Sequence, residues 1–596
     1  MASPLDYLIV AAYDSMNQPL AALVAELLHE GNSATVVVNN ASDAANLEAF
    51  RRRGVEPVEV SRYDFSSLDS VDVVVMAPVR PYGMAKLIEA IRERDLFIVS
   101  FANLFSSIVM REYPDLVLAL GEAKFGEFAE NGFSYNMVAV GNPQYDCLVE
   151  ARHARGRPIE KVLVVDQGGY PYGERGKREL AEAVGGFARA NPEMRFDVKP
   201  RFYASLAGRQ THEQTAGFLG FLDDRPENLR CLEEPAQLEE LVQGYDAMIT
   251  MWSTAYLDAA LLDIPLILVG GLDSDDVFDV RSQRVEEAYR HLEGTGCLRD
   301  RHELAEGTAE FSYVETEYLD REVYGWESPS GERTIRCIEA AWETCAEPGE
   351  RWSRPFAMGA DEFLEQAPSL PRESLGEPRA KARHSYLVEL NREVQEWSYV
   401  NRCLERPFDM EPFRACYEED FSDVEDGDFE GAAERKLSSA KAAWDEGYDG
   451  RFRREETAGR AREDAVLQDY YFDWLSGEGR SAEIESFDGP VLASSSRAYN
   501  LALAELERGD TEAAFARLQE FLDAVSFPDD AQLRKRRHAI QLLLPFAKKA
   551  GAKRFAGFAL HDGNFKKLSA LAEQAFGVAS LRELVSYVLR MRGNLF

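Results

Sequence analysis

Paired cysteines, long apolar runs and basic residues are what this 596-residue chain has least of. Its seven cysteines (Cys147, Cys231, Cys297, Cys337, Cys345, Cys403, Cys416) are dispersed without a C-x-x-C pair. That argues for reduced thiols and against a disulfide framework or a zinc site. No apolar run approaches the ~20 residues of a membrane-spanning helix, and no secretory leader precedes the first apolar strand. The expected location is therefore cytoplasmic, with any membrane contact peripheral, at the inner face of the cell membrane. Acidic residues number 104 against 67 basic ones, a formal charge of −37. Nucleic acid is excluded as a general partner, because phosphate contacts need concentrated Lys and Arg. The eight histidines stand apart and show no metal-ligand spacing, so no metal is expected. The acidic run Asp420–Glu430 lacks the spacing at which a calcium loop carries its glycine and terminal glutamate.

What is present is a globular composition, 45% hydrophobic and 29% charged, long enough for roughly three to four domains. The first third alternates apolar strand-like runs with helical stretches. Tyr7–Ala12, Ala34–Val38, Val71–Pro78, Leu96–Ser100, Leu116–Leu120 and Met137–Val140 read as strands, and Gln18–Glu30 as a helix. Continuous apolar runs of this length suit parallel strands buried on both faces. A second series starts at Glu160–Val165 and continues through Arg178–Ala190, Arg195–Lys199, Ala247–Thr250 and Pro265–Val269 to a helix at Arg333–Cys345. The fold class expected is α/β: two Rossmann-like domains, at 1–152 and 153–347, with a cleft between them. Residues 348–384, rich in Pro, Glu, Arg and Gly, read as a surface linker. Residues 385–596 read as an all-α domain, with one tetratricopeptide-like hairpin at Ala498–Val525.

The richest segment is Glu240–Gly271, where a buried strand, a hydroxyl-bearing turn (Ser253-Thr254), a helix and a second strand follow one another. Hydroxyls and backbone N–H groups at a helix start, just past a strand's carboxyl end, can cradle phosphate; the bland alternative is a helix cap. Lys199 ends the Arg195–Lys199 strand and Arg201 follows it, where they would neutralise a diphosphate or simply meet solvent. The loop Gln167–Lys177 holds Gly168, Gly169 and Arg175 and lacks the G-K-[ST] ending of a P-loop. Its glycines would let the backbone approach a ligand. Gly141-Asn142-Pro143 makes a rigid turn, read first as a structural hinge, with Asn142 and Pro143 lining the cleft as the lesser alternative, and Asp146 is placed to cap the helix that follows.

Asp246-Ala-Met-Ile-Thr250, Ser253-Thr254, Asp258 and Leu262-Asp-Ile-Pro265-Leu-Ile resemble the signature of the CDP-glycerol glycerophosphotransferase group. That group belongs with the GT-B glycosyltransferases and stands near the UDP-sugar 2-epimerases. Gly141-Asn142-Pro143-Gln144-Tyr145-Asp146 resembles its "G-N-P-R-Y-D" turn, and Ser328–Ala340 its closing helix. The resemblance spans roughly residues 7–345. It implies a GT-B fold, with Ser253 and Thr254 on a donor diphosphate and Asp258 on ribose hydroxyls. Departures are plain: the group's "T-D-Y-S-S" aspartate is Met251 here. The turn carrying its first histidine reads Phe101–Ser107, and the turn carrying its second reads Lys199-Pro200-Arg201.

The reading that follows is a transferase moving a sugar or glycerol phosphate from a CDP- or UDP-linked donor to a cell-surface polysaccharide, lipid-linked or teichoic-acid-like acceptor. No cofactor is expected, since the activated nucleotide is a substrate. A general base must take the acceptor proton; Asp14 in the loop after the first strand and His212 are the candidates. The C-terminal helices would serve a protein or membrane partner. Two alternatives stay open: a UDP-sugar 2-epimerase, and a scaffold that has lost catalysis and acts as a binding protein.

Overall fold

A computed structural model describes residues 4–11, 14–38, 44–76, 84–102, 113–130, 132–166, 173–199, 218–232, 237–251, 253–271, 292–345, 350–374, 377–403, 415–419, 429–448, 480–491 and 494–508, with scattered positions from 421 to 520. Seven strands open the chain: β1 (Asp6–Val10), β2 (Ser33–Val38), β3 (Val58–Glu59), β4 (Val73–Met76), β5 (Phe97–Ala102), β6 (Leu116–Ala119) and β7 (Met137–Ala139). Between and after them lie α1 (Asp14–His29), α2 (Ala44–Arg51), α3 (Ala85–Glu93), α4 (Ala123–Glu130) and α5 (Asp146–Glu150). The second series has β8 (Lys161–Val165), β9 (Arg195–Lys199), β10 (Leu229–Cys231), β11 (Ala247–Thr250), β12 (Leu266–Gly270) and β13 (Leu298–Asp300). Its helices are α6 (Gly173–Ala190), α7 (Leu238–Leu241), α8 (Ala255–Leu261), α9 (Arg301–Glu306) and α10 (Thr316–Glu322).

Both series form parallel sheets, as the alternation of strand and helix requires. The second is six-stranded, in the order β10-β9-β8-β11-β12-β13. Alternation along each strand sends side chains to both faces of the first sheet. Tyr7, Ile9, Val75 and Val99 pack on one face with Leu20, Leu23 and Leu27 of α1. Leu8, Val10, Val74 and Ile98 pack on the other with Leu87, Ile88 and Ile91 of α3.

Two expectations are corrected. The helix expected to close the second domain, α11 (Gly331–Thr344), instead buries Ile335, Ile338 and Ala341 in the core of the first sheet. The segment 348–384, expected to be a linker, carries β14 (Glu350–Trp352), β15 (Ala357–Gly359), α12 (Ala360–Gln366) and β16 (Arg372–Ser374). β15 pairs in parallel with β7, so the first sheet is eight-stranded, in the order β15-β7-β6-β5-β4-β1-β2-β3. The physical reason is an aromatic cluster that overrides the polar composition. Trp352 meets Phe356 edge to face at 5.0 Å, Phe356 stacks on Phe363 at 5.6 Å, and Phe97 of β5 lies 6.4 Å from Trp352. The chain therefore visits the second domain and returns to the first.

Beyond this, the described elements are all helices: α13 (Glu377–Cys403), α14 (Phe429–Tyr448), α15 (Ser481–Glu485) and α16 (Ser494–Glu507). Tyr386, Leu387 and Leu390 of α13 pack against Val117, Ala119 and Met137 of the first sheet. α16 supplies the first helix of the expected hairpin at 498–525, most of whose second helix lies outside the described residues. Among the described residues no helix is long and apolar enough to cross a membrane.

Candidate functional site: the cleft edge of the second sheet

β8, β9 and β11 are neighbours in the sheet, so their carboxyl ends bring Asp166, Lys199 and the Met251–Thr254 turn to one edge. Asp166 is buried, and its backbone N–H donates to Lys199 O at 3.1 Å. At the turn, Ser253 Oγ accepts the Ala255 N–H at 3.2 Å and so caps α8. The residue that replaces the family aspartate, Met251, is wholly buried among apolar neighbours.

Four residues after Thr254, one helical turn on, Asp258 lies beneath this edge. It is 4% exposed, and its Oδ1 is shielded from solvent without a hydrogen-bond partner. Glu239 of α7 is buried nearby. Burial, and then the charge of Glu239, raises the Asp258 carboxyl well above its ordinary value, with Lys199 acting in the opposite sense. Burial likewise raises Glu239, opposed by Arg53 and Lys199. Two carboxyls held this way favour the protonated form in at least one member, which can then donate as well as accept a hydrogen bond.

The first domain closes over this group. The Tyr145 hydroxyl is held above its ordinary value by burial and by the charges of Asp258 and Glu239. The same causes push the Cys147 thiol up to about 11. Gln18 of α1 donates from Nε2 to Gln237 Oε1 at 3.1 Å, spanning the two domains.

The Gly141–Asp146 turn lies between β7 and α5. Asn142 accepts the Gln144 N–H at 3.0 Å and Pro143 starts a 3-10 turn. Gly141 needs its glycine: φ is +86°, and a Cβ would lie 3.0 Å from Tyr324 O and 3.1 Å from Ser330 Cβ. Asp146 corrects an expectation. It caps α11, 185 residues away, and not the helix that follows it. Ser330 N, Ser330 Oγ and Gly331 N donate to its carboxylate at 2.8, 2.9 and 2.8 Å. Arg333 completes the joint, donating from Nε to Val140 O at 3.0 Å and from Nη2 to Tyr324 O at 3.1 Å.

Of the residues expected at the site, Lys199, Ser253, Thr254 and Asp258 lie together. Gly168, Gly169, Arg201 and His212 lie outside the described residues, as do the side chains of Asp14, which begins α1, and Arg175, which lies in α6. The turn read as replacing the family's first histidine is corrected in part. β5 continues through Ala102, so buried Phe101 and Ala102 are strand, and the remainder lies outside the described residues. Glu239, Tyr145 and the Gln18–Gln237 pair were not singled out from the sequence. Only the burial of Glu239 beside Asp258 marks it, and in sequence it is one acidic residue of a short Leu-Glu-Glu-Leu helix.

A family model described as "Putative glycosyltransferase (DUF6716)" matches residues 7–324. No curated protein matches the chain. Among solved structures, it is similar to the UDP-GlcNAc 2-epimerase from Methanocaldococcus jannaschii. The two share 12% identity at a TM-score of 0.39, over 56% of this chain and 99% of that one. The UDP-GlcNAc 2-epimerase from Neisseria meningitidis bound to UDP-GlcNAc gives 11% and 0.37, over 56% and 100%. CalG4, the calicheamicin glycosyltransferase, gives 15% and 0.37, over 58% and 100%.

Proposed function

From the premise that this chain belongs to the DUF6716 family, we propose that it is a GT-B-type transferase acting on a nucleotide-activated donor. The donor is CDP- or UDP-linked, and the group moved is a sugar or glycerol phosphate. The acceptor is a cell-surface polysaccharide or a teichoic-acid-like polymer, reached from the cytoplasmic face. One observation carries the reading at the site: the Asp258 carboxyl, buried at the cleft with Oδ1 unpartnered. Such an atom is costly unless a ligand supplies its hydrogen bond, and ribose hydroxyls are donors of the right kind.

In this reading Ser253, Thr254 and the N–H groups at the α8 start hold the diphosphate. Lys199 and Arg201 offset its charge, and the loop that carries Gly168, Gly169 and Arg175 contributes to binding its phosphates. The first domain binds the acceptor, and Asp14, with His212 as the second candidate, takes the acceptor hydroxyl proton as the new bond forms. The nucleoside diphosphate or monophosphate leaves with the bonding electron pair, stabilised by these cations and N–H groups. Helices beyond residue 377 offer a surface for a protein or polymer partner.

Isothermal titration of the full chain with UDP, CDP and their sugar or glycerol conjugates tests this. The expected result is micromolar binding of one nucleotide, weakened at least tenfold by Ser253→Ala with Thr254→Ala, together with slow donor hydrolysis. No binding at millimolar nucleotide would sink the proposal. Interconversion of a UDP-sugar at C2 without an acceptor would replace it by the epimerase reading.

A further inference from the structure

Asp258 and Glu239 stand on two short helices, α8 and α7, that pack against each other. Asp258 is 4% exposed and Glu239 6%. Among the described residues neither carboxyl forms an ion pair, and Asp258 Oδ1 has no hydrogen-bond partner. A third buried carboxyl of the same domain shows the contrast. Asp197 of β9 takes Arg195 Nη2 at 2.6 Å, Arg230 Nε at 2.5 Å and the Tyr245 hydroxyl at 2.9 Å. The fold surrounds Asp197 with donors, as a buried carboxylate requires, and leaves Asp258 and Glu239 without them.

The groups around the pair do not replace those donors. α7 adds a further acid, Glu240. From the first domain, α5 packs on α8, and Tyr145 and Cys147 come with it. Both are uncharged at physiological pH, since burial and the two carboxyls hold their protons on. Two cations act on the pair: Lys199 at the end of β9 on both members, and Arg53, just beyond α2, on Glu239. Both cations are part-exposed, so solvent screens them. Burial raises both carboxyls in spite of them.

A nucleotide brings more negative charge to this edge. Its diphosphate is an anion, and two ionised carboxyls beneath it would set three like charges in a place largely closed to water. A single proton on the pair removes one of them. The diphosphate also draws on Lys199, the cation that otherwise opposes protonation at both carboxyls. The pair therefore holds its proton more firmly with the nucleotide in place than without it.

Resting on the donor reading above, we propose that Glu239 is a positioning residue that acts through Asp258: the two carboxyls share one proton, and donor binding takes up that proton. Glu239 makes no contact with the nucleotide. It sets the charge that Asp258 presents to the ribose and the diphosphate. The sign follows from linkage. A ligand that favours the protonated pair binds best below the pair's raised range, and its affinity is lost as pH rises through that range. For one proton the loss is at most about tenfold per pH unit.

The test is calorimetric titration of the full chain with UDP-GlcNAc and with CDP-glycerol, whose diphosphates have no ionisation of their own between pH 6 and 8.5. Each titration is run in two buffers of different ionisation enthalpy, which reads proton uptake directly. Uptake of up to about one proton is expected, with affinity falling roughly tenfold or more from pH 6 to pH 8.5. Glu239→Gln, isosteric with the protonated acid, should flatten that profile and bind more tightly than the unaltered protein at pH 8.5. A glutamate that only supported the fold would give neither result. Nucleotide binding without proton uptake overturns this inference and leaves the donor reading standing. So does a folded Glu239→Gln that keeps the unaltered pH profile or binds more weakly throughout. If neither nucleotide binds at millimolar concentration, both fall together. The uptake measurement needs no variant, so it decides even if Glu239→Gln folds poorly.

Discussion

Asp258 works against the stability of the protein without ligand. Its carboxyl is raised in the folded state by burial and by Glu239, whereas the unfolded chain releases that proton near the ordinary ~3.9. A raised acid binds its proton more tightly when folded, so stability is highest below the ordinary value and is lost as pH rises through the raised one. Asp258→Asn should therefore raise Tm at pH 7 by about 2 °C, leave it nearly unchanged at pH 4, and still weaken nucleotide binding; a lower Tm at pH 7 would refute this. His384 behaves in the mirror sense. Its folded value is lowered to about 4 against an ordinary ~6.5. Its neutral form therefore contributes fully above ~6.5, and that contribution is lost as pH falls toward 4. Tm against pH for His384→Asn should show a shallower decline across that window than for the unaltered protein.

At the scale of elements, the helix α11 is started by a residue from a distant turn. Removing the three hydrogen bonds that Asp146 accepts should cost about 2–3 kcal/mol. Urea unfolding of Asp146→Ala measures it. Gly141→Ala forces a side chain into a left-handed turn against Tyr324 O and Ser330, and about 1–2 kcal/mol is expected there. Both sheets were legible in the sequence because their strands are unbroken apolar runs, such as Val73–Met76 and Leu266–Gly270. β3 and β10, two and three residues long with mixed polarity, carry no such signal. The Ser253–Asp258 spacing was legible because one helix carries it. Glu239 and Tyr145 were not, since only tertiary packing brings their two elements to Asp258. Neither was the partner of Asp146, because a side chain's spare acceptors point to no place in the sequence.

For the whole molecule, the decisive feature is that the chain leaves the first domain after α5, builds the second, and comes back. α11, β15 and α12 belong by packing to the first domain and by connection to the second. With the Asp146 and Arg333 bonds at the joint, the two sheets should lose structure together. Scanning calorimetry should show one transition for them, and two well-separated peaks would contradict the shared packing. The same return has a consequence during synthesis. When β7 leaves the ribosome, its outer edge has no neighbour, and the core side of α1 has no α11 against it. Both wait for a segment roughly 200 residues further on, which at ~5–20 residues per second is about 10–40 s of translation. Through that interval the first sheet presents an open strand edge and an uncovered apolar face to the cell. The nascent chain is a natural client for a chaperone, and products truncated before β15 are expected to aggregate rather than to persist as a free N-terminal domain.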